Sequence, residues 1–220
     1  MRTKQRMKRI LLIATGWTIA SGYTKEGLTP QIEAGDLLRY VEEYKDFCAV
    51  DVLQAFSLDS TNLYGRHWLE LAGLVEKYFS DYDGFVICHG TDTMAFTAAA
   101  LSYLVQNSPK PIVVTGAQKP IDLPVTDART NLLDSLRFTS EAKAHGVSIV
   151  FGGNVIAGTR AKKERSKSYN AFSSINYPNV AVIRDGRVVF YIDDKPCKEQ
   201  APIFYRRLND RLLLLKLIPG

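Results

Sequence analysis

The chain has 220 residues, of which 46% are hydrophobic and 23% are charged, as in an ordinary soluble globular protein. This balance excludes a disordered, collagen-like or coiled-coil chain as the main description. The length predicts one large domain, with room for an appendage, that can bury a core without metal ions or disulfides.

The formal net charge of +5 comes from a short N-terminal tail, not from the body of the chain. Residues 1–9 contain five cations, namely Arg2, Lys4, Arg6, Lys8 and Arg9. Beyond this basic tail, 23 cations balance 23 anions. Because a nucleic-acid-binding domain usually carries a basic stripe on its folded body, we predict no nucleic-acid partner.

The cysteines and histidines are few, and none has the spacing of a CxxC motif or a metal site. They are Cys48, Cys88 and Cys197, and His67, His89 and His145. The first two cysteines fall in apolar runs, which favours buried reduced thiols. We therefore expect no metal site.

The N-terminus resembles a secretory signal only in part. A basic stretch precedes an apolar one over 10–20, but Thr15, Gly16 and Thr18 interrupt it early. No apolar run reaches the roughly 18–20 residues that a membrane span needs. Unpaired cysteines are typical of a reducing compartment, so we predict a cytoplasmic protein with no membrane partner.

Apolar runs alternate with helical patterns along the first two thirds of the chain, which is typical of βαβ units. The predicted strands are 10–14, 49–56, 85–89 and 111–115. The predicted helices are 33–45, 66–79, 93–105 and 127–144. This alternation predicts an α/β fold, a doubly wound and mostly parallel sheet in three α/β/α layers.

The last third changes character. Apolar runs at 147–151 and 155–159, and again at 180–184 and 187–192, flank turn residues and predict two hairpins. Residues 193–209 are polar and contain two prolines, as in a linker, and 211–218 is one more apolar strand. We therefore divide the chain into the tail 1–9, an α/β domain over 10–192, and a linker with the first strand of a truncated second domain over 193–220.

Four of the predicted strands end in loops rich in hydroxyl groups, and ligands bind at the carboxyl ends of strands in doubly wound sheets. The loops are 15–18, 57–62, 89–93 and 115–118. In the third loop Gly90 permits a tight turn, and Thr91 or Asp92 would cap the helix that follows. Such residues are also common turn formers, and His89 reads as a packed strand-end residue, not a base. No Gly-x-Ser-x-Gly or G-x-G-x-x-G motif is present.

Several of these segments together resemble the L-asparaginase family, most of all its bacterial type I members. The signatures are Thr15-Gly16-Trp17-Thr18-Ile19 and His89-Gly90-Thr91-Asp92-Thr93-Met94. Further similarity runs through Asp59-Ser60-Thr61-Asn62, 82–87, 111–116, Gly158-Thr159-Arg160-Ala161, 168–172 and 214–217. The resemblance covers about residues 9–220 and implies hydrolysis of L-asparagine to L-aspartate and ammonia through a covalent acyl-enzyme, without a cofactor.

The resemblance assigns catalytic roles to four residues. Thr18 would be the nucleophile that attacks the side-chain amide, and Thr91, with Lys163 and Asp92, would form a second threonine triad. A threonine hydroxyl needs a neighbouring base, and a lysine can supply one where burial lowers its pKa. Without the resemblance, we would interpret Lys163 as a solvated residue of the basic run 160–167.

The resemblance also implies which residues bind the substrate. Asp59, Ser60 and Thr61, together with Thr91 and Asp92, would hold the amino-acid part of L-asparagine. Backbone N–H groups of the loop at 90–92 could stabilise the oxyanion, and such donors are worth about 3–4 kcal/mol each.

The sequence departs from the family pattern at three places. Trp17 stands where the family has glycine, and no clear counterpart exists for a flexible-loop tyrosine, whose place falls on Leu28 with Tyr23 as a substitute. The family's smaller C-terminal domain, which builds its dimers and tetramers, is missing beyond Gly220. Two alternatives therefore stay open: a non-catalytic module that binds aspartate or asparagine or assembles with relatives, and an amidase acting on glutamine or on an amide of a larger partner.

Overall fold

A computed structural model describes residues 6–16, 19, 21–24, 27–30, 34–192, 200–209 and 211–218. Its α-helices are α1 (Gly65–Lys77), α2 (Met94–Leu104) and α3 (Ala128–Ser140), and its 3₁₀ helices are Ala34–Tyr40, Glu42–Asp46 and Ser60–Asn62. The strands are β1 (Lys8–Ala14), β2 (Ser21–Thr24), β3 (Gly27–Pro30), β4 (Cys48–Gln54), β5 (Gly84–Cys88), β6 (Val105–Gln106), β7 (Pro111–Thr115), β8 (Gly146–Phe151), β9 (Asn154–Ala157), β10 (Ala161–Lys163), β11 (Phe172–Ser174), β12 (Ala181–Arg184), β13 (Arg187–Phe190) and β14 (Ile203–Phe204).

The central sheet has eight strands in the order β13-β12-β9-β8-β7-β5-β1-β4. The five strands from β8 to β4 run parallel, and β9, β12 and β13 extend the sheet antiparallel. Numbered along the chain, the parallel strands have the doubly wound order 2-1-3-4-5, in which ligands bind at the switch point beside the first strand. The predicted α/β fold is confirmed, and the switch point lies between β1 and β5.

The strands bury both faces because helices cover the sheet on each side. In β1, Ile10 and Leu12 pack in the cluster that contains Leu132 and Leu136 of α3. The alternate residues of the strand, 11 and 13, pack in the cluster that contains α1 and α2. Each fully buried aliphatic side chain contributes about 1.5–3 kcal/mol, so the unbroken apolar runs hold the three layers together.

Both predicted hairpins form, because their turn residues adopt the positive φ angles that tight turns require. Gly152 and Gly153 have φ of 57° and 71°, and Asp185 and Gly186 have φ of 49° and 69°. Two consecutive residues with positive φ fit the right-handed twist of the flanking strands. These hairpins supply the antiparallel edge of the sheet.

The predicted α-helix over 33–45 is wrong. The segment forms two 3₁₀ helices, Ala34–Tyr40 and Glu42–Asp46, on either side of Val41. Its i→i+3 hydrogen bonds run from Val41 N to Leu38 O and from Tyr44 N to Val41 O, at 3.3 and 3.2 Å. Leu38, Val41, Tyr44 and Phe47 recur every three residues, and side chains at that spacing share one face of a 3₁₀ helix.

The predicted strand over 211–218 is not formed either. These residues have no regular secondary structure, and Leu212, Leu214 and Leu217 are 85%, 80% and 85% exposed. A strand needs a partner backbone, and no described residue pairs with this segment. The predicted linker contains β14 instead, which pairs with β6. Residues 193–199 of that linker lie outside the described part of the chain.

Candidate active site

The loops after β1 and β4 contact each other beside the switch point. Thr15 Oγ1 donates to Cys88 O at 2.9 Å, and Leu58 N donates to Thr15 O at 3.0 Å. Gly16 has φ of +96°, and a Cβ there would lie 2.8 Å from the backbone of Ser57. Only glycine fits such a close approach, so Gly16 brings the end of β1 against the loop after β4.

The loop after β4 contains three of the predicted binding residues, and its own hydrogen bonds shape it. Asp59 caps the short helix Ser60–Asn62, since its Oδ1 accepts from Thr61 N and from Thr61 Oγ1, both at 2.9 Å. Ser60 is buried, and its carbonyl accepts from Thr93 Oγ1 at 2.7 Å. A Cβ on Gly90 would lie 2.6 Å from Ser60 Oγ, so the loops after β4 and β5 are packed together.

Thr91, Asp92 and Lys163 form a hydrogen-bonded triad. The Lys163 ammonium donates to Thr91 Oγ1 at 2.8 Å and to Asp92 Oδ1 at 2.6 Å. Thr91 is 7% exposed, while the side chains of Lys163 and Asp92 are 15% and 62% exposed. The lysine therefore joins a buried hydroxyl to a carboxylate that faces solvent, an arrangement able to hand a proton between them.

A two-stranded ladder holds Lys163 at this place. Lys163, the last residue of β10, pairs with Phe172 of β11, and Phe172 packs on Phe151 with ring centroids 5.0 Å apart. Glu164 N then donates to Ala171 O at 2.8 Å. No pattern in the sequence predicts β10 or β11, because strands of three residues are too short to give a detectable alternation.

Gln118, in the loop after β7, lies beside the triad. The sequence placed it in a candidate loop, 115–118, but assigned it no role. Thr91 Oγ1 lies 3.5 Å from Gln118 Oε1, and Gln118 Nε2 donates to Ser168 O at 3.2 Å. The carboxylate of Asp127 accepts from the backbone N–H groups of Gln118 and Lys119 at 2.9–3.1 Å. Asp127 thereby fixes the loop that carries Gln118.

Asn131 ties that loop to a hairpin turn. Its Nδ2 donates to Gly116 O at 2.9 Å, and its Oδ1 accepts from Gly152 N at 2.9 Å. Asp127 and Asn131 lie one turn apart at the start of α3 and are almost fully buried. The sequence signal that could have identified them is a pair of polar residues four positions apart on the core face of a helix. Buried polar groups need hydrogen-bond partners.

His89 is the centre of a buried hydrogen-bond chain beneath the triad. Trp68 Nε1 donates to Thr97 Oγ1 at 2.9 Å, Thr97 Oγ1 lies 2.8 Å from His89 Nε2, and His89 Nδ1 lies 2.6 Å from Gly90 O. Burial lowers the pKa of His89 to about 4, so the ring is neutral, with Nδ1 as donor and Nε2 as acceptor. His89 is a packed strand-end residue, as predicted.

The bond from His89 also orients a peptide group in the triad loop. Since the peptide unit is planar and trans, a Gly90 carbonyl turned towards His89 points the Thr91 N–H the opposite way. The predicted cap of α2 is corrected here, because Thr93, not Thr91 or Asp92, is the N-cap residue and makes no capping side-chain bond. Thr91 and Asp92 are therefore free of a capping role.

The predicted nucleophile lies outside the described residues. Neither Trp17 nor Thr18 is among the described residues. In the chain they stand between Gly16, which follows β1, and Ile19, whose carbonyl accepts from Ile121 N at 3.2 Å. Tyr23 and Leu28 are register partners in the β2–β3 hairpin. The described residues thus bring together Thr91, Asp92, Lys163 and the loop of Asp59, Ser60 and Thr61.

An open depression of about 270 Å³ lies beside the triad, lined by Asp92, Lys163, Glu164, Arg165 and Ser166.

No group of three or more His, Cys, Asp or Glu side chains in the described residues has the arrangement of a metal site. Across the described ranges, no helix is both long enough and apolar enough to span a membrane. Cys48 and Cys88 are free and buried, and burial raises their pKa values to about 11 and about 12.

Comparison with known proteins identifies the family. The family described as Asparaginase, N-terminal, matches residues 9–196. An L-asparaginase of Thermococcus kodakarensis is 35% identical over 214 residues, which cover 96% of this chain and 64% of that protein. A glutamyl-tRNA(Gln) amidotransferase component from Pyrococcus furiosus is 31% identical over 231 residues, covering 100% of this chain and 53% of that protein.

Comparison with solved structures leads to the same family. The thermostable L-asparaginase from Thermococcus kodakarensis matches with a TM-score of 0.84 at 34% identity, over 91% of this chain and 61% of that one. A probable cytoplasmic L-asparaginase from Campylobacter jejuni matches with a TM-score of 0.77 at 32% identity, over 85% of this chain and 58% of that one. The chain thus spans between half and two thirds of these relatives. It belongs to the asparaginase family and covers the N-terminal domain.

Proposed function

We propose that the protein hydrolyses the side-chain amide of L-asparagine, giving L-aspartate and ammonia. The observation that carries this proposal is the pair of hydrogen bonds from Lys163 to Thr91 and Asp92, at 2.8 and 2.6 Å. A buried hydroxyl bonded to an amine, which is itself bonded to a carboxylate, is the arrangement that nucleophilic and general acid–base catalysis by hydroxyl groups requires. The family assignment supports the same chemistry.

In the proposed reaction Thr18 attacks the amide carbon. Its oxygen forms an ester with the substrate acyl group, the C–N bond breaks, and the hydroxyl proton leaves with the amide nitrogen as ammonia. Water then attacks the ester, which releases L-aspartate and returns the proton to Thr18. Thr91 and Lys163 shuttle protons, Asp92 positions the lysine, and the Thr91 N–H, directed away from His89, can donate to the oxyanion.

The proposed substrate contacts are made by the loop of Asp59, Ser60 and Thr61, with Thr91 and Asp92. Thr61 donates two hydrogen bonds to Oδ1 of Asp59, from its backbone N–H and from its hydroxyl. Oδ2 is therefore left to accept from the substrate's α-ammonium. Because Gly90 lies against Ser60, the binding loop and the triad loop hold a fixed distance. Fixed geometry of this kind is what a small polar substrate needs for reaction.

The test is an ammonia-release assay with L-asparagine on the purified chain, on Thr18→Ala and on Thr18→Ser. We expect the alanine variant to lose activity by at least about 100-fold and the serine variant, which keeps a hydroxyl, to retain part of it. Equal activity in Thr18→Ala would reject the nucleophile and with it this mechanism.

A first alternative is a binding module without turnover, and Trp17 is the observation that favours it. An indole next to the nucleophile, where the family has glycine, can fill the substrate pocket, and a displacement of about 1 Å can cost about 100-fold in rate. Calorimetric titration of L-aspartate tests this alternative. Binding without ammonia release, together with a gain in rate for Trp17→Gly, would favour it.

A second alternative is an amidase that acts on glutamine or on an amide held by a larger partner. The similarity of the whole chain to part of a glutamyl-tRNA(Gln) amidotransferase component favours it. Competition between L-asparagine and L-glutamine in the same assay separates these substrates. Preference for glutamine, or activity only when a partner protein is added, would replace asparagine hydrolysis as the main function.

We also propose a homodimer or homotetramer and a cytoplasmic location. The similarity to a probable cytoplasmic L-asparaginase supports the location, and fractionation of cells that produce the protein tests it. The absence of a nucleic-acid partner stays a prediction. The balanced charge of the chain beyond its basic tail is the argument for it.

A further inference from the structure

A cavity of about 190 Å³ lies at the edge of the sheet opposite the candidate active site. It opens beside the first residues of β8, whereas the triad and the binding loop follow the carboxyl ends of the strands. Its apolar walls come from the end of α3, the segment after it and the β12–β13 hairpin with its flanks, and include Phe138, Ala144, Val180, Phe190 and Ile192. Because protein interiors leave few spaces larger than a water molecule, this cavity is a candidate binding site.

Ser148 gives this cavity a buried hydroxyl group that has no partner. The residue is 3% exposed and lines the cavity, and no described residue forms a hydrogen bond with its side chain. It alternates along β8 with Ile149 and lies on the side of Val150, which packs in the cluster that contains α3. Buried hydroxyl groups are normally hydrogen-bonded, so a molecule in the cavity with a polar group at its inner end would supply the missing partner.

The mouth of the cavity carries positive charge. The lining residues with exposed or half-exposed side chains are Lys143, His145 and Tyr177. The Arg160 guanidinium lies over the Tyr177 ring, 5.5 Å from its centroid, and His145 Nδ1 lies 2.9 Å from Lys143 O. None of the described residues that line the cavity is acidic. The mouth therefore favours a ligand whose outer end is an anion.

We propose that this cavity binds a small aromatic acid, with a single six-membered ring that carries a hydroxyl group at one end and a carboxylate at the other. The ring lies between the apolar walls, the hydroxyl bonds to Ser148, and the carboxylate faces the cations at the mouth. A cavity of about 150 Å³ with apolar walls stays dry and binds benzene, so 190 Å³ has room for a ring with two small substituents.

The first test is a titration of the full chain with 4-hydroxybenzoate, followed by saturation-transfer difference NMR. A ligand of about ten non-hydrogen atoms should bind with a Kd of about 0.1–1 mM. Benzoate lacks the hydroxyl and phenol lacks the carboxylate, so each should bind about 3–10-fold more weakly. L-Aspartate should not displace the ligand, because the proposed substrate loops lie at the other edge of the sheet. Displacement by L-aspartate, or no saturable binding up to about 10 mM, would overturn the proposal.

The second test removes the hydroxyl at the inner end of the cavity. Ser148→Ala should weaken 4-hydroxybenzoate about 3–10-fold and leave benzoate, which has no group to bond there, unchanged. Ser135→Ala is the matched control, because Ser135 is equally buried but its hydroxyl already donates to Asn131 O at 2.6 Å. It should leave the affinities for both ligands unchanged. Equal affinity of Ser148→Ala and the unmodified chain for 4-hydroxybenzoate would overturn the assigned contact.

The third test fills the cavity. Ala144 is 4% exposed and lines it, so Ala144→Leu should occupy much of the space and weaken binding at least 10-fold. Ala142→Leu adds the same side chain two positions earlier, where the residue is exposed and does not line the cavity, and should bind normally. Melting curves check that both variants fold. Unchanged binding to a folded Ala144→Leu chain would place the ligand elsewhere and overturn the proposal.

The fourth test addresses the charge at the mouth. Arg160→Gln should weaken 4-hydroxybenzoate about two- to fivefold, the usual effect of an exposed charge, and should leave phenol unaffected. Lys77→Gln, at the end of α1, removes an exposed cation that is not part of this cavity and should change neither affinity. Weaker binding of 4-hydroxybenzoate at high salt, without an effect on phenol, would support the same contact. Equal losses for both ligands in Arg160→Gln would overturn the orientation with the carboxylate outward.

Discussion

The Lys163 ammonium lies 2.8 Å from the hydroxyl oxygen of Thr91, although 72 positions separate the two residues in the chain. Thr91 follows β5, and Lys163 ends β10, so the contact depends on the sheet and on the β10–β11 ladder together. Because the hydroxyl is buried and the carboxylate of Asp92 faces solvent, Lys163 is the one described side chain that bonds to both.

Replacing Lys163 tests whether this contact serves catalysis. We expect Lys163→Met to lower kcat for L-asparagine by about 10²–10⁴, the usual worth of a general acid–base group. Lys162→Met removes the neighbouring charge, whose side chain is exposed, and should leave kcat within about twofold. The measurement is kcat at saturating substrate, with melting curves as the folding check.

Similar losses in both lysine variants would contradict the role given to Lys163. Stability should change little, because the ion pair with Asp92 is largely solvent-exposed on the carboxylate side, and exposed pairs contribute about 0–1 kcal/mol. A melting temperature that drops sharply in Lys163→Met alone would instead assign the residue a structural role.

The fold was largely predictable because its strands are long, apolar and separated by turn residues. β7 has the predicted bounds, 111–115, and both hairpins form around the expected glycines. The predicted elements are wrong where contacts between distant segments determine the local structure. The segment at 33–45 has a spacing of three as well as of four, and the run 211–218 has the composition of a strand but no described partner for pairing.

The candidate site was predictable only in part. The loops after the strands were recognised from their hydroxyl groups, and the contact between Gly90 and Ser60 agrees with their meeting at one edge of the sheet. Lys163 could be assigned only by family resemblance, because nothing local distinguishes it from neighbouring cations. The supporting bonds of Asp127 and Asn131 join segments distant in the chain, and a pattern along the sequence does not record such contacts.

Adding a methyl group at Gly90 should separate the binding loop from the triad loop. A Cβ there would lie 2.6 Å from Ser60 Oγ and 2.8 Å from Ser60 Cβ, so one loop has to move. We expect Gly90→Ala to lose about 1–3 kcal/mol of stability and at least about 100-fold in activity.

Gly73→Ala is the matched control for that substitution. Position 73 lies within α1 and has open space around the added Cβ, so alanine should stabilise the helix by about 1 kcal/mol. Urea unfolding and the ammonia assay on both variants provide the measurement. Equal activity in the two variants would contradict a tight contact between the loops.

Asp134 should destabilise the folded protein at neutral pH. Burial raises the pKa of its carboxyl to about 6, against 3.8 for a free side chain, despite the nearby Arg137 and Arg184. Stability from this group is present below pH 3.8 and is lost as the pH rises through 6. Asp134→Asn should therefore be more stable than the unmodified chain at pH 7.5, by about 2–3 kcal/mol, and similar at pH 4. Urea unfolding at both pH values measures this, and a loss of stability at pH 7.5 would contradict it.

His89 should have the opposite pH dependence. Burial lowers its pKa to about 4 from 6.5, so the unfolded chain binds the extra proton between these values and stability rises with pH across that window. The contribution is fully present above pH 6.5 and amounts to about 3 kcal/mol, which offsets that of Asp134 between pH 4 and 6. In the Asp134→Asn background, unfolding free energies should therefore rise steeply from pH 4 to 6.5, and adding His89→Asn, whose amide does not titrate, should remove that slope. A slope that persists in the double variant would assign the titration to another group.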